Sequence, residues 1–343
     1  MFKNGKKMLI ISMAVIMALA SIGTSYQYIA TKIDDYRYPA PGKMVDVGGF
    51  KLHINCSGTG NPTVILDAGM GLFSTNWTFV QKEVEQFAHV CSYDRAGLGW
   101  SEKSPNPRTS AFIVEELHTL LQNIHAQPPY ILVGHSSGGI NMRLYANTYP
   151  NDVFGVVLVD SSQEKQIERF EALAQRFPRP KPTIVERIKN YILESDIAAY
   201  IGITRLYLKS QDAPPSAFPK QLRDVLIAKI LTTKSLTTDE GTPFKESLKQ
   251  VEQSHNTLEN KPLIVITAGK KNDGPEEPTK EMEEFANVWF ICQKELAQQS
   301  QECKQITAQQ SGHMIPFEQP EIIVDAIREM VNEYRKVYSH ATQ

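Results

Sequence analysis

The sequence predicts an α/β protein in which a mostly parallel sheet is covered by helices on both faces, and three observations predict it. Short runs of strand length, most of them apolar almost throughout, recur at 63–66, 89–93, 130–133, 156–159, 263–267 and 305–308. Amphipathic stretches of helical period separate them at 77–87, 109–124, 139–147, 281–298 and 320–338. Continuous rather than alternating apolar character marks strands buried on both faces, and strand–helix alternation marks the crossovers of a parallel sheet. The third observation is a break: 163–261 shows helical periodicity at 166–177, 184–193 and 222–231 and no clear buried strand, so it reads as a helical insertion.

In chain order, Lys3, Lys6 and Lys7 precede an uncharged, mostly apolar run from Met8 to Gly23 that stays uncharged to Thr31. A basic flank before such a run is an export signal, and it reads in two ways. As an uncleaved anchor over 1–34 it is long enough to cross a bilayer, with Tyr26 and Tyr28 at the aromatic belt. As a cleaved signal peptide it offers Ala18-Leu19-Ala20 to the peptidase. Either reading puts the remainder outside the cytoplasm: on the cell membrane as a single-pass protein, or secreted. A linker at 38–41 follows, and then alternating segments at 44–47 and 51–55 flank Gly48-Gly49, a hairpin signal.

The 343 residues are 41% apolar and 22% charged, enough for a sizeable core. With 36 basic and 38 acidic side chains and no basic stripe interleaved with aromatics, no nucleic-acid partner is expected. Four cysteines in an exported chain permit disulfides. Cys292 and Cys303 would close a short loop and are the favoured pair, Cys56 and Cys91 lie in strand-like runs, and free buried thiols are the competing expectation. No zinc-site spacing is present.

The chemistry concentrates at Gly134-His135-Ser136-Ser137-Gly138, between the strand at 130–133 and the helix at 139–147. A G-x-S-x-G run in that context is a nucleophile elbow. The turn is sharp enough to strain the serine backbone and to exclude side chains at the flanking positions, so glycines stand there.

From this motif the chain resembles the α/β-hydrolase superfamily, in its serine-nucleophile branch, over about residues 44–340. The resemblance implies an α/β-hydrolase fold with a core over 44–162 and 262–340 and a helical cap over 163–261, between strands 6 and 7. Leu66-Asp67-Ala68-Gly69-Met70-Gly71 is similar to the family's oxyanion loop, with Ala68 where relatives usually carry histidine, so the Met70 and Ser137 N–H groups are the implied oxyanion donors. Tyr93-Asp94-Arg95-Ala96-Gly97-Leu98-Gly99-Trp100-Ser101 resembles a loop whose role is mainly structural. Ser311-Gly312-His313 resembles the loop of the catalytic histidine, which makes His313 the base for Ser136. The other histidines, His53, His89, His118, His125, His135, His255 and His340, read as packing or surface residues. For the acid, Asp160 is taken ahead of Asp273, which stays as the alternative. Asp160, at the end of 156–159, matches the place used by a minority including the haloalkane dehalogenases; Asp273, in a loop one residue longer than usual, matches the majority place.

The implied reaction is hydrolysis of a carboxylic ester, or of a short peptide or amide, through an acyl-enzyme on Ser136, with no metal or organic cofactor and a small-molecule substrate. A dehalogenase or epoxide hydrolase would need aspartate at the elbow. A lyase using the same triad, and a membrane-tethered binding protein on a hydrolase scaffold, are the remaining alternatives. Basic and apolar residues mixed over 169–187 and 201–209 fit a membrane-facing cap, and equally a solvated helix face.

Overall fold

The computed structural model describes residues 2–178, 181–193, 195–210, 220–255, 258–270 and 279–339. The chain opens with one long helix, α1 (Phe2–Arg37), which continues past the apolar run. Eight strands then form one sheet: β1 (Lys43–Asp46), β2 (Lys51–Ser57), β3 (Thr63–Asp67), β4 (His89–Tyr93), β5 (Tyr130–His135), β6 (Val153–Val159), β7 (Leu263–Ala268) and β8 (Cys303–Ala308). Their order is β1-β2-β4-β3-β5-β6-β7-β8. The expected hairpin, β1 with β2, is antiparallel and joins β4 antiparallel, while every pairing from β4 to β8 is parallel.

Between β3 and β6 run α2 (Thr78–Val84), α3 (Ser110–Asn123) and α4 (Ser137–Thr148). After β6 come α5 (Gln166–Arg176), α6 (Ile184–Leu193), α7 (Asp196–Tyr200), α8 (Ile203–Ser210), α9 (Lys220–Ile230), α10 (Thr233–Leu236) and α11 (Phe244–Gln253). The last helices are α12 (Lys280–Ala297), between β7 and β8, then α13 (Ile315–Glu318) and α14 (Pro320–Ser339).

Alternate strand residues feed two separate cores, which is why the strands read as apolar throughout. Ile65, Leu132, Val156, Leu158 and Val265 pack with Leu117 and Leu120 of α3 and Met142 and Tyr145 of α4. Their neighbours Leu66, Ile131, Val133, Val157 and Ile266 point the other way, onto Val80 and Val84 of α2 and Ile323, Ile327 and Met330 of α14. Period-two side-chain alternation with both faces covered fixes the register of each strand.

The chain divides into two compact units: Ala40–Arg179 with Asp239–Gln343, and Met1–Pro39 with Pro180–Thr238. The helices within 163–261 fall in both units. Helix α5 stays with the body, where Arg169 pairs with Glu295 of α12 at 2.6 Å, and α11 adds Leu248 and Val251 to the first core. Helices α6–α10 join α1 instead. There, fully buried Arg205 of α8 donates from Nε to Gln27 Oε1 (2.7 Å) and from Nη1 to Asp34 Oδ2 (2.7 Å). Lys229 of α9 reaches Asp35 at 2.8 Å.

The favoured Cys292–Cys303 disulfide does not form. Both are free thiols, Cys292 buried on α12 and Cys303 half-buried at the start of β8. The disulfide joins Cys56 and Cys91 instead, because β2 and β4 are antiparallel neighbours and put these residues directly opposite, with Cα atoms 4.1 Å apart. It closes a segment of 35 residues, for which chain entropy alone gives about 3–4 kcal/mol. Replacing both with serine should lower the unfolding free energy by about that amount in denaturant titrations, and reductant should destabilise wild type but not the variant.

Candidate active site

Strand β5 ends at His135 and α4 starts at Ser137, so Ser136 makes the whole turn, with φ 54° and ψ −121°. Such left-handed geometry costs a non-glycine residue about 1–3 kcal/mol and persists only where the surroundings enforce it. The Ser136 N–H donates to Val159 O (3.1 Å), and its carbonyl accepts from Gly139 (3.1 Å) and Ser162 (3.0 Å). A Cβ at Gly134 would strike the backbone of Gly138 and Gly139, and one at Gly138 would strike the carbonyls of Asp67 and Ala68. Here the glycines are required by close approach.

His313 and Asp160 lie next to this serine. The His313 Nδ1–H donates to Asp160 Oδ2 at 2.6 Å, which leaves Nε2 to accept the Ser136 hydroxyl at 3.0 Å. Asp160 is buried just past β6, and its Oδ1 accepts from the Ala268 N–H (3.0 Å) and the Trp289 indole N–H (2.9 Å). The loop carrying His313 is pinned from three sides. Ser311 O accepts from Gly269 (3.1 Å) and Lys270 (2.9 Å), Glu318 accepts the Gly312 N–H (2.8 Å), and His313 O accepts from His135 Nε2 (2.8 Å). A hydroxyl, an imidazole and a buried carboxylate in this order can move a proton off the serine and stabilise the resulting cation. Asp273 lies outside the described residues.

Met70 and Ser137 border one small cavity of about 20 Å³, together with Arg95, Arg108, Asn141 and Glu240. Among the described residues neither of their N–H groups has a protein acceptor; Ser137 opens α4, where an N–H has no partner within the helix. The loop before Met70 is held by Arg95, whose guanidinium donates to Ala68 O (2.7 Å), Gly69 O (2.7 Å), Asp67 Oδ1 (2.6 Å) and both oxygens of Glu240 (2.6 and 2.9 Å). Glu240 accepts in turn from the Gly71 N–H at 2.8 Å. Burial pushes the Glu240 carboxyl up, but Arg95 beside it outweighs that and holds it below the usual range; for Asp67, burial wins and the carboxyl is raised. The neighbouring Asp94 accepts from the Ser74 (2.8 Å) and Trp100 (2.9 Å) N–H groups, so it orders loops rather than reaching Ser136.

Trp289 and Glu240 were not assigned roles from sequence, and Arg95 was read only as part of a mainly structural loop. Nothing in the spacing links Trp289 to Asp160, 129 positions away, or Glu240 to Arg95, 145 away. Among the described residues, Cys56, His89 and Cys91 come close enough to one another to hold a metal, and the disulfide uses both sulfurs.

A family model described as the alpha/beta hydrolase fold matches residues 62–320, and the chain belongs to that family. It is 26% identical over 296 residues to an AB hydrolase superfamily protein of Gibberella zeae, covering 80% of this chain and 87% of that one. It is also 26% identical over 320 residues to the "probable transporter efuK" of Hormonema carpetanum. That match covers 87% of this chain but 44% of the relative, so the chain spans less than half of that relative's length. Among solved structures, the epoxide hydrolase CorEH superposes with TM-score 0.55 at 16% identity, covering 85% of this chain and 99% of that one. A thermophilic esterase from Thermogutta terrifontis superposes with TM-score 0.51 at 21% identity, covering 85% and 98%. At these identities the structures establish the fold.

Two measurements probe the supports of the site. Burial, then the neighbouring His313, push His135 down to about 3, so the folded state binds no proton there while an unfolded histidine does below about 6.5. Its contribution to stability is present above pH 6.5 and is lost as pH falls toward 3, by about 2 kcal/mol between pH 6.5 and 5; His135→Gln, which keeps an N–H donor, should remove that slope in denaturant titrations at the two pH values. Arg95→Met leaves Glu240 and Asp67 buried without their cation and should cost about 3–5 kcal/mol in the same assay.

Proposed function

We propose that this chain is a serine hydrolase cleaving a carboxylic ester, or a short peptide or amide, tethered by α1 to the cell membrane with its body outside the cytoplasm. The observation that carries the reading is the hydrogen-bonded sequence Ser136–His313–Asp160, built on a serine in strained left-handed geometry. Strain at a half-buried turn, held by three backbone hydrogen bonds, is a feature a purely structural serine does not need. CorEH has the same fold, yet opening an epoxide on this scaffold would call for a carboxylate at the elbow, where this chain has Ser136.

In the proposed reaction, Ser136 Oγ attacks the substrate carbonyl as its proton passes to His313 Nε2. Asp160 stabilises the imidazolium and fixes the tautomer with Nδ1 protonated. The Met70 and Ser137 N–H groups hold the oxyanion. The proton on Nε2 then goes to the leaving oxygen or nitrogen, and an acyl-enzyme remains. Water, deprotonated by His313, hydrolyses the ester and returns Ser136. The membrane tether is supported by α1, where an apolar stretch within Gly5–Arg37 is long enough to cross a bilayer and, among the described residues, is not buried. A secreted form, released by cleavage at Ala20, is the alternative outcome.

Fluorophosphonate labelling of the purified protein tests the reading, with turnover of a p-nitrophenyl ester as the second readout. Ser136→Ala should abolish labelling, and Ser136→Ala and His313→Ala should each cut turnover by about 10⁴-fold or more. Asp160→Asn should slow both by about 10³–10⁴-fold and Asp273→Asn should leave them unchanged. A folded wild type that does not label would favour the binding-scaffold alternative. Labelling without a substrate-derived acyl-enzyme in the mass spectrum would favour a lyase.

A further inference from the structure

Helix α1 carries no charged side chain between Lys7 and Lys32. At 1.5 Å per residue, a hydrocarbon core about 30 Å thick takes up about 20 residues, so a span entered at Met8 emerges near Gln27 and Tyr28. Helices α7 and α8 meet α1 before that level. The connection between them, Ile201-Gly202, lies so close to Gly23 that a Cβ at Gly23 would strike the Ile201 carbonyl, and one at Gly202 would lie 3.1 Å from the Gly23 carbonyl. Gly23 stands about four residues, or roughly 6 Å, on the membrane side of the exit point.

This docking is built in. Gln27, only 2% exposed, donates from Nε2 to Leu231 O at 3.0 Å and accepts from Arg205, which also holds Asp34. If α1 spans, the surface beside Gly23 is carried into the outer leaflet, and that surface is apolar. Ile197 is 71% exposed, Tyr200 53%, Ile203 40% and Leu206 57%, all flanking the Ile201-Gly202 connection. Ile184 and Val185 of α6 are about three-quarters exposed, and the cationic Arg187, Lys189 and Lys209 on the same helices are exposed as well. Apolar side chains exposed together beside a span, with cations nearby, suit an interface of acyl chains and lipid phosphates.

We propose that α7 and α8, with the start of α6, form an interfacial surface that sits in the outer leaflet beside α1, its occupant a phospholipid bilayer. The proposal rests on α1 being an uncleaved span. The surface adjoins the span at Gly23, so that contact sets the depth of the first by the depth of the second.

The test uses the full chain with Cys292→Ser and Cys303→Ser, carrying a single NBD-labelled cysteine, in vesicles of phosphatidylcholine and phosphatidylglycerol. Met17→Cys reports whether α1 spans; Ile197→Cys and Leu206→Cys report the surface. The expected result is quenching at Met17 by lipid with a nitroxide deep in the acyl chain, and at Ile197 and Leu206 by lipid with a nitroxide near the headgroup, with blue-shifted emission at all three. Quenching at Met17 alone would overturn the proposal and leave the anchor standing. Blue-shifted emission at Ile197 without lipid quenching would also overturn it, showing protein in place of lipid. No quenching at Met17 would overturn the anchor and the proposal together.

Discussion

At Ser136 the chain passes from a fully buried strand to a helix within one residue, and much of the body is arranged to make that turn possible. The left-handed backbone costs about 1–3 kcal/mol, so the turn has to be clamped rather than merely allowed. One clamp is the neighbouring strand: Val159 at the end of β6 accepts the Ser136 N–H, and Ser162, just beyond it, donates back to the Ser136 carbonyl. The same strand end carries Asp160. The segment that enforces the serine geometry therefore also delivers the carboxylate, and β5–β6 register sets both at once. The parallel β6–β7 pairing extends this, since the Ala268 N–H binds Asp160 and residues just beyond β7 bind the loop of His313.

A second constraint is electrostatic. The 68–72 loop that follows β3 lies outside any helix or strand, and a buried guanidinium holds it. Arg95 directs its donors to three carbonyls of that loop, those of Ala68, Gly69 and Leu72, and to two carboxylates, and Glu240 closes the circuit through Gly71. Buried ion pairs are seldom efficient stabilisers compared with apolar packing, so their use here is better understood as geometric specification. A planar fork of donors fixes several acceptors in one orientation, which lysine would not do.

What could be read in the sequence follows from how local each signal is. The elbow, the strands and the histidine loop are short motifs whose chemistry lies within a few residues, so Ser136, Ser137 and His313 could be named with their contexts. The choice between Asp160 and Asp273 was not local, since it depends on which carboxylate faces His313: Asp160 bonds His313 Nδ1 and an indole from α12 that no motif marks, and Asp273 lies outside the described residues. The disulfide was misread for the same kind of reason. Proximity in sequence favoured Cys292 and Cys303, whereas the sheet order places β2 beside β4 and brings Cys56 and Cys91 face to face. Helical periodicity does not reveal what a helix packs against: α5 and α11 have apolar faces like those of α6 and α8, yet they belong to the unit that holds the sheet.

The unit containing α1 places a limit on how the N-terminal segment can be treated. Arg205 is wholly buried, and its partners Gln27, Thr31 and Asp34 all lie on the last part of α1, as does Asp35, the partner of Lys229. Cleavage after Ala20 would keep every one of these groups, so the packing of α8 and α9 on α1 is compatible with either fate of the apolar run. Removal of residues 1–34 would not. It strips Arg205 of three side-chain partners while leaving the charge inside, a loss of the order of 3–5 kcal/mol when a buried pair is broken from one side. From Gly23 onward α1 is thus packed against the 180–238 segment, with which the whole helix shares a unit.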